Sequence, residues 1–281
     1  MFKILEKEEY SPITKMMVVE APKVAKSCKP GQFIILRIHE EGERIPLTIA
    51  DFDREKGTIT IVVQEVGKTT AQLGQMQVGD LIKDFVGPLG EPTHIEKVGT
   101  VLVVGGGVGV APVHPIARAL KEAGNHVIGI IGARSKDLLF WEDKMRNACS
   151  ELFVTTDDGS YVRQGFVTDV MKEIIEEKGK ENVALCIAIG PQPMMRACSN
   201  LTKEYDIKTI VSLNALMVDG TGMCGCCRVS IGGETKFVCV DGPDFDGHQV
   251  DWLELGRRGA FFRDEEHQAM EKHRCKCGGG K

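Results

Sequence analysis

The sequence predicts an antiparallel β-barrel, then a doubly wound parallel α/β domain, then a small cysteine-rich segment near the carboxyl end. Three observations carry this. Short β-branched runs separated by turn signals fill the first 97 residues. A continuous apolar strand, Val101-Leu102-Val103-Val104, then opens a regular strand–helix alternation. Beyond Asn214 that alternation stops, and Gly, Cys and Asp dominate to about Gly247. The expected organisation is a barrel over 1–97, an α/β domain over 98–213, a cysteine-rich segment over 214–250, and a helix and tail over 251–281.

In the barrel region, Met16-Met17-Val18-Val19, Phe33-Ile34-Ile35-Leu36 and Ile59-Thr60-Ile61-Val62-Val63 read as strands, separated by turn signals such as Lys29-Pro30-Gly31 and Val78-Gly79-Asp80. Short strands at this spacing suit a small antiparallel barrel. From Gly99 on, unbroken apolar runs suit a parallel sheet covered on both faces. Further strands are expected at His126 to Ile131, Leu152 to Thr155, Ala184 to Ile189 and Thr209 to Leu213. Helices are expected near Pro112 to Ala123, Lys136 to Ala148, Phe166 to Lys178 and Pro193 to Tyr205. Such alternation is the mark of a doubly wound domain. A charged helix near Arg263 to Lys272 and a mobile tail from Cys275 complete the expectation.

The chain has 281 residues, 42% of them hydrophobic, and a formal charge of −5. That length suits two domains and an appendage. The mildly acidic balance argues against a nucleic-acid partner. The apolar stretch from Val101 to Ile116 is broken by glycines and falls short of the roughly 20 residues of a membrane span. Met1-Phe2-Lys3-Ile4-Leu5-Glu6 places acid where a signal peptide needs an apolar run. A cytoplasmic protein without a membrane partner is expected.

Gly105-Gly106-Gly107-Val108-Gly109-Val110-Ala111-Pro112 follows a strand and opens a helix. Glycines there let a pyrophosphate approach the backbone, and the helix start offers free N–H groups. Pro112 suits a first helical turn. The spacing is not G-x-G-x-x-G, and the next strand ends Ile131-Gly132-Ala133-Arg134 with no acidic residue. Arg134 is a candidate for a 2′-phosphate contact or a solvated surface residue, and Asp157 joins it among the nucleotide candidates.

Of ten cysteines, Cys28, Cys149, Cys186 and Cys198 are isolated and read as buried thiols, while Cys224, Cys226, Cys227 and Cys239 fall within sixteen residues. In a cytosolic chain such clustering points to metal more than to disulfides. The plant-type iron–sulfur spacing C-x4-C-x2-C with a distant fourth Cys fits if Asp219 stands at the first position, followed by Cys224, Cys227 and Cys239. Three readings compete: a 2Fe–2S cluster held by Asp219 and three Cys, a 2Fe–2S cluster held by four Cys including Cys226, and structural zinc. The tail pair Cys275 and Cys277, with His267 and His273, reads as a thiol-bearing tail or a further metal site.

Barrel and nucleotide domain in this order resemble the ferredoxin–NADP reductase superfamily. Arg44-Ile45-Pro46-Leu47-Thr48 resembles its flavin strand, which implies that Thr48 faces the isoalloxazine and Arg44 the pyrophosphate of FAD. Gly67-Lys68-Thr69-Thr70 resembles its phosphate loop, with Gly67, Thr69 and Thr70 as candidates. Gly87-Pro88-Leu89-Gly90 matches its Gly-Pro-x-Gly turn, and Gly190-Pro191-Gln192-Pro193-Met194 is similar to the segment beside its nicotinamide site, with Ile189 in place of a cysteine. With the cysteine segment added, the order is similar to the electron-transfer subunits of dihydroorotate dehydrogenase and their relatives. Asp219 narrows the resemblance to the small subunits of NADH-dependent reduced ferredoxin:NADP+ oxidoreductases.

The resemblance implies a flavoprotein that passes electrons between NAD(H), FAD and a 2Fe–2S cluster. It implies a larger partner carrying flavin and 4Fe–4S clusters, similar to the small subunit of glutamate synthase, which bifurcates electrons and reaches ferredoxin. The alternatives are an electron-transfer subunit of a dihydroorotate or sulfide dehydrogenase and, in a different class, a zinc-stapled nucleotide sensor. Hydride transfer needs no general acid or base, so no catalytic side chain is expected.

Overall fold

The structure is a computed structural model that describes residues 1–278, with side chains described as far as His273. The barrel is built from β1 (Phe2–Ser11), β2 (Thr14–Glu20), α1 (Pro22–Ser27), β3 (Phe33–Arg37), β4 (Ile45–Thr48), β5 (Asp51–Asp53), β6 (Thr58–Gln64), α2 (Lys68–Gln75), β7 (Leu81–Ile82) and β8 (Asp84–Leu89). Its strands form two antiparallel sheets, in the orders β5-β6-β2-β1-β7 and β4-β3-β8. Alternate residues of β2, β3 and β6 point inward, and Met17, Ile34, Leu36, Ile59 and Ile61 fill the barrel core. β4 is an edge strand, and all four of its residues are half-buried.

The nucleotide domain contains β9 (Thr100–Gly106), α3 (Val110–Glu122), β10 (His126–Ala133), α4 (Glu142–Ala148), β11 (Glu151–Thr156), α5 (Val167–Lys178), β12 (Leu185–Ile189), α6 (Gln192–Glu204) and β13 (Thr209–Ser212). Its parallel sheet runs β11-β10-β9-β12-β13. β9 is buried on both faces: Val101 and Val103 pack into the layer of α3, Leu102 and Val104 into that of α5 and α6. This explains its unbroken apolar run. The strand order reverses between β9 and β12, and ligands of such sheets bind outside the strand ends at that point.

Three expectations change. The helix expected from Lys136 is interrupted: only a single tight turn forms at Lys136–Leu138, and α4 starts at Glu142. Trp141 takes a left-handed conformation (φ 58°), which turns its indole inward to donate a 2.7 Å hydrogen bond to the Tyr10 hydroxyl of the barrel. The cysteine-rich segment is better integrated than its composition suggests. It folds as β14 (Arg228–Ile231), β15 (Glu234–Phe237), α7 (Val238–Asp241) and β16 (Asp244–Asp246). β16 joins the large sheet antiparallel to β13, and Cys227, Val229, Val238, Cys239 and Phe245 share the core of the nucleotide domain. Finally, α8 (Trp252–Gly259) begins where the Asp251 carboxylate accepts from the Leu253 and Glu254 amides, and α9 (Arg263–Gly278) runs helically through Cys275 and Cys277 where a tail was expected. The side chains of Cys275 and Cys277 and the end of the expected tail, 279–281, lie outside the described residues. No helix among the described residues is long and apolar enough to cross a membrane.

Candidate functional site

The cysteine loop is shaped by Gly220, Gly222 and Gly225, which take φ values of +75°, +83° and +67°. L-residues rarely adopt this conformation, so the loop's tight turns need glycine. The turns fold the loop around Asp219. Its carboxylate accepts from the amides of Thr221, Met223 and Cys224, each at 3.1 Å, and from the Thr221 hydroxyl at 3.2 Å. The Thr221 amide above all, helped by the thiol and amide of Cys224, holds the Asp219 carboxyl down at about 2 against its own desolvation.

Asp219 and Cys224 form one close pair, with Oδ1 to Sγ at 3.3 Å. Cys227 and Cys239 form a second, with their sulfurs 3.2 Å apart. The first pair lies toward solvent and the second is sealed in the core. Burial, with the neighbouring Cys227, pushes the Cys239 thiol up to about 12, so Cys239 keeps its proton until a cation compensates the charge. Among the described residues no three His, Cys, Asp or Glu side chains gather around one point as a single metal ion requires. A two-by-two arrangement instead suits a binuclear cluster in which each iron takes two protein ligands. Cys226 lies beside Cys224, whose thiol raises the Cys226 pKa, and its carbonyl accepts from Arg258 at 2.9 Å.

This loop rests on the barrel. A Cβ at Gly220 would meet Ile35 at 2.8 Å and Leu89 at 3.0 Å, so β3 and β8 lie directly against its backbone. Arg44 donates from Nε to the Val218 carbonyl at 2.8 Å and from Nη2 to the Asp219 carbonyl at 3.3 Å. The resemblance implies a pyrophosphate contact for this guanidinium; in this structure it donates to the cysteine loop. Pro46, Leu47 and Thr48 follow on β4, each of them half-buried.

At the start of α2, the Val66 and Gly67 amides donate to the Thr70 hydroxyl at 3.0 and 2.9 Å. Thr70 therefore closes the turn rather than facing outward. Thr69 donates to Glu43 at 2.5 Å and Lys68 to the same carboxylate at 3.1 Å. The Thr69 hydroxyl, more than any other contact, lowers the pKa of Glu43. Gly87 and Gly90 have packing roles: a Cβ at Gly87 would strike Ile34 at 2.6 Å, and one at Gly90 (φ +77°) would strike Phe33 at 2.8 Å and the Gly242 carbonyl at 3.0 Å.

The glycine loop and the 190s segment meet at the switch point. A Cβ at Gly109 would lie 2.2 Å from the Ile189 carbonyl oxygen, and one at Gly106 would lie 2.1 Å from Met194 Sδ. Gly105 packs against Val110, Gly190 against Met194, and Gly107 (φ +54°) faces open space. Pro191 caps α6. Ala111 is sealed in the core, so only its backbone N–H is available to an anion at the start of α3, and Pro112 beside it has none. Farther along the same strand ends, exposed Arg134 stands near exposed Asp157, whose amide donates to Ala133 at 3.0 Å. Desolvation raises the Asp157 pKa while Arg134 opposes the rise.

Two groups escaped sequence reasoning. Glu43 lay in the charged run Glu40-Glu41-Gly42-Glu43-Arg44, which reads locally as a turn. Arg258 lies beyond the motif region, and nothing in its neighbourhood signalled a contact with Cys226.

The sequence matches the oxidoreductase FAD-binding domain over residues 1–94, the oxidoreductase NAD-binding domain over 103–200, and the iron–sulfur cluster binding domain of dihydroorotate dehydrogenase B over 214–251. A Thermotoga maritima protein named as a homolog of the dihydroorotate dehydrogenase B (NAD(+)) electron transfer subunit is 49% identical, with 90% of this chain and 89% of its own length aligned. An uncharacterized Clostridium beijerinckii protein is 53% identical over 96% of this chain and 93% of its own. A chain from a solved structure of an NADH-dependent reduced ferredoxin-NADP oxidoreductase, described for flavin-based electron bifurcation, is 46% identical and superposes with a TM-score of 0.91 over 96% of both chains.

Proposed function

The chain belongs to the family of dihydroorotate dehydrogenase B electron-transfer subunits, and from that membership we propose that it carries electrons between NAD(H), FAD and a 2Fe–2S cluster as the smaller subunit of a bifurcating NADH-dependent ferredoxin:NADP+ oxidoreductase. The observation that carries the reading is the paired ligand set, Asp219 with Cys224 and Cys227 with Cys239, seated on the strands of the FAD-binding barrel.

FAD, when bound, supplies the exchange between two-electron hydride chemistry and single-electron transfer. The chain's own residues bind and orient. The glycine loop brings its backbone and the start of α3 to the nucleotide pyrophosphate. Met194 and Pro191, packed on Gly106, form the wall of the nicotinamide crevice. β4 presents Pro46, Leu47 and Thr48 to the flavin ring, and the first turn of α2, with Lys68 and Thr69, takes the flavin phosphates. Asp219, Cys224, Cys227 and Cys239 hold the irons. No side chain is required to move a proton in the hydride step.

The larger partner is a flavin and 4Fe–4S subunit, through which ferredoxin is reached. The name of the Thermotoga maritima relative favours a second reading, in which the partner is a dihydroorotate dehydrogenase. Asp219 at the first ligand position argues for the first reading. Anaerobic purification of the native complex tests both. Flavin bands, about two irons per small chain and a 4Fe–4S partner are expected. A colourless chain without iron would overturn the redox reading, and a dihydroorotate dehydrogenase partner would replace the first reading with the second.

A further inference from the structure

Glu43 and Arg44 are consecutive, yet they serve opposite ends of the site. Glu43 turns to Lys68 and Thr69 at α2, and Arg44 turns to the Val218 and Asp219 carbonyls. Among the described residues no carboxylate lies in salt-bridge range of Arg44, and its guanidinium donates instead to two main-chain carbonyls. Arg44 as a residue is half-buried.

In a trans peptide the N–H points opposite to the C=O. With the carbonyls of Val218 and Asp219 drawn to Arg44, the amides of Asp219 and Gly220 are turned away from it. One side chain thus fixes two peptide planes at the first ligand and places a full positive charge beside it. Hydrogen bonding and net charge around an iron–sulfur cluster set its potential, and a nearby cation favours the reduced, more negative form.

We propose that Arg44 is a positioning residue of the iron–sulfur loop, one that orients the peptides flanking Asp219 and raises the cluster's reduction potential, and that it is not a flavin pyrophosphate contact. This rests on the cluster assignment above. It also ties the loop to the flavin strand, since Arg44 is separated from β4 by no intervening residue.

The test is an EPR-monitored redox titration of the purified chain, with iron analysis and FAD affinity by fluorescence. Arg44→Gln should lower the cluster midpoint potential and change FAD affinity less than about twofold. Arg44→Lys, which keeps the charge but loses the fork, should fall between wild type and Arg44→Gln. If Arg44→Gln fails to assemble, Arg44→Lys decides alone: a lowered potential supports the proposal and an unchanged one overturns it. A tenfold or greater loss of FAD affinity with an unmoved cluster potential returns Arg44 to the pyrophosphate. A wild-type chain without a cluster overturns the functional reading and this assignment together, whereas a wild-type cluster whose potential ignores both substitutions overturns this assignment alone.

Discussion

The Glu43 carboxylate accepts a 2.5 Å hydrogen bond from the Thr69 hydroxyl at the first turn of α2, the turn expected to cradle the FAD phosphates. A carboxylate and a pyrophosphate compete for the same hydroxyl, ammonium and helix start. Removing the carboxylate's charge should favour the flavin by ~1 kcal/mol, or about fivefold in Kd. Glu43→Gln is therefore expected to bind FAD more tightly in a fluorescence titration of the flavin-free chain. Equal or weaker binding would place the phosphates elsewhere.

If Asp219 pairs with Cys224 and Cys227 with Cys239 around the proposed cluster, Cys226 is a bystander. Cys239→Ser should strip the buried pair of a sulfur and reduce bound iron to background. Cys226→Ser should leave iron content and the EPR spectrum almost unchanged. Asp219→Cys should keep two irons but shift both the spectrum and the potential, because a thiolate replaces a carboxylate oxygen. Loss of iron in Cys226→Ser together with retention in Asp219→Ala would transfer the first ligand position to Cys226.

At the switch point, two glycines differ in what they meet. A methyl group at Gly109 would press on the Ile189 carbonyl oxygen at 2.2 Å, where only backbone movement gives relief. The same methyl at Gly106 would meet the thioether of Met194 at 2.1 Å, the far end of a flexible side chain that yields more readily than backbone. Gly109→Ala should cost ~3 kcal/mol or more and Gly106→Ala ~1 kcal/mol. Thermal melts of the two variants check the order, and NADH affinity should fall further in Gly109→Ala. Similar losses in both would mean that the β9–α3 turn relaxes as a unit.

What could be read from the sequence followed from local chemistry. Val101 to Val104 must be buried on both faces because no polar residue interrupts them, and the glycines after them fix a strand–turn–helix. The spacing of Asp219, Cys224, Cys227 and Cys239 is also local, and the fold brings these four residues together in pairs. Long-range choices were not legible. Nothing in Asp244-Phe245-Asp246 announces a strand, since its only apolar residue is Phe245; it becomes one because β13 offers an open edge. Trp141 sits inside a stretch with helical composition, and its break at φ 58° arises from a hydrogen bond to Tyr10, 131 residues away. The parting of Glu43 and Arg44 depends likewise on partners at Thr69 and Val218 that a charged turn cannot reveal.

Asp244 on β16 gives the chain a pH dependence of definite sign. Its Oδ2 accepts from the Thr93 hydroxyl at 2.6 Å, while Oδ1 is sealed from solvent and has no hydrogen-bond partner among the described residues. Burial pushes the carboxyl up to about 6, against the opposing hydrogen bonds from Thr93 and Ser212. An unfolded Asp titrates near 3.9. Between those values the folded chain holds a proton that the unfolded chain has lost, so this group's contribution to stability falls as pH rises from ~4 to ~6 and stays low above. The full penalty at neutral pH is of the order of ~3 kcal/mol. Asn at this position keeps an acceptor for Thr93 and carries no charge to desolvate. Urea unfolding of wild type and Asp244→Asn from pH 4 to 8 should show a stability difference that moves in the variant's favour up to about pH 6 and then levels off. The comparison cancels the opposite trend of carboxylates such as Asp219, whose lowered pKa adds stability as pH rises through the acid range. A difference that is flat with pH would mean that Asp244 is ionised in the folded chain, with a cation or water at Oδ1.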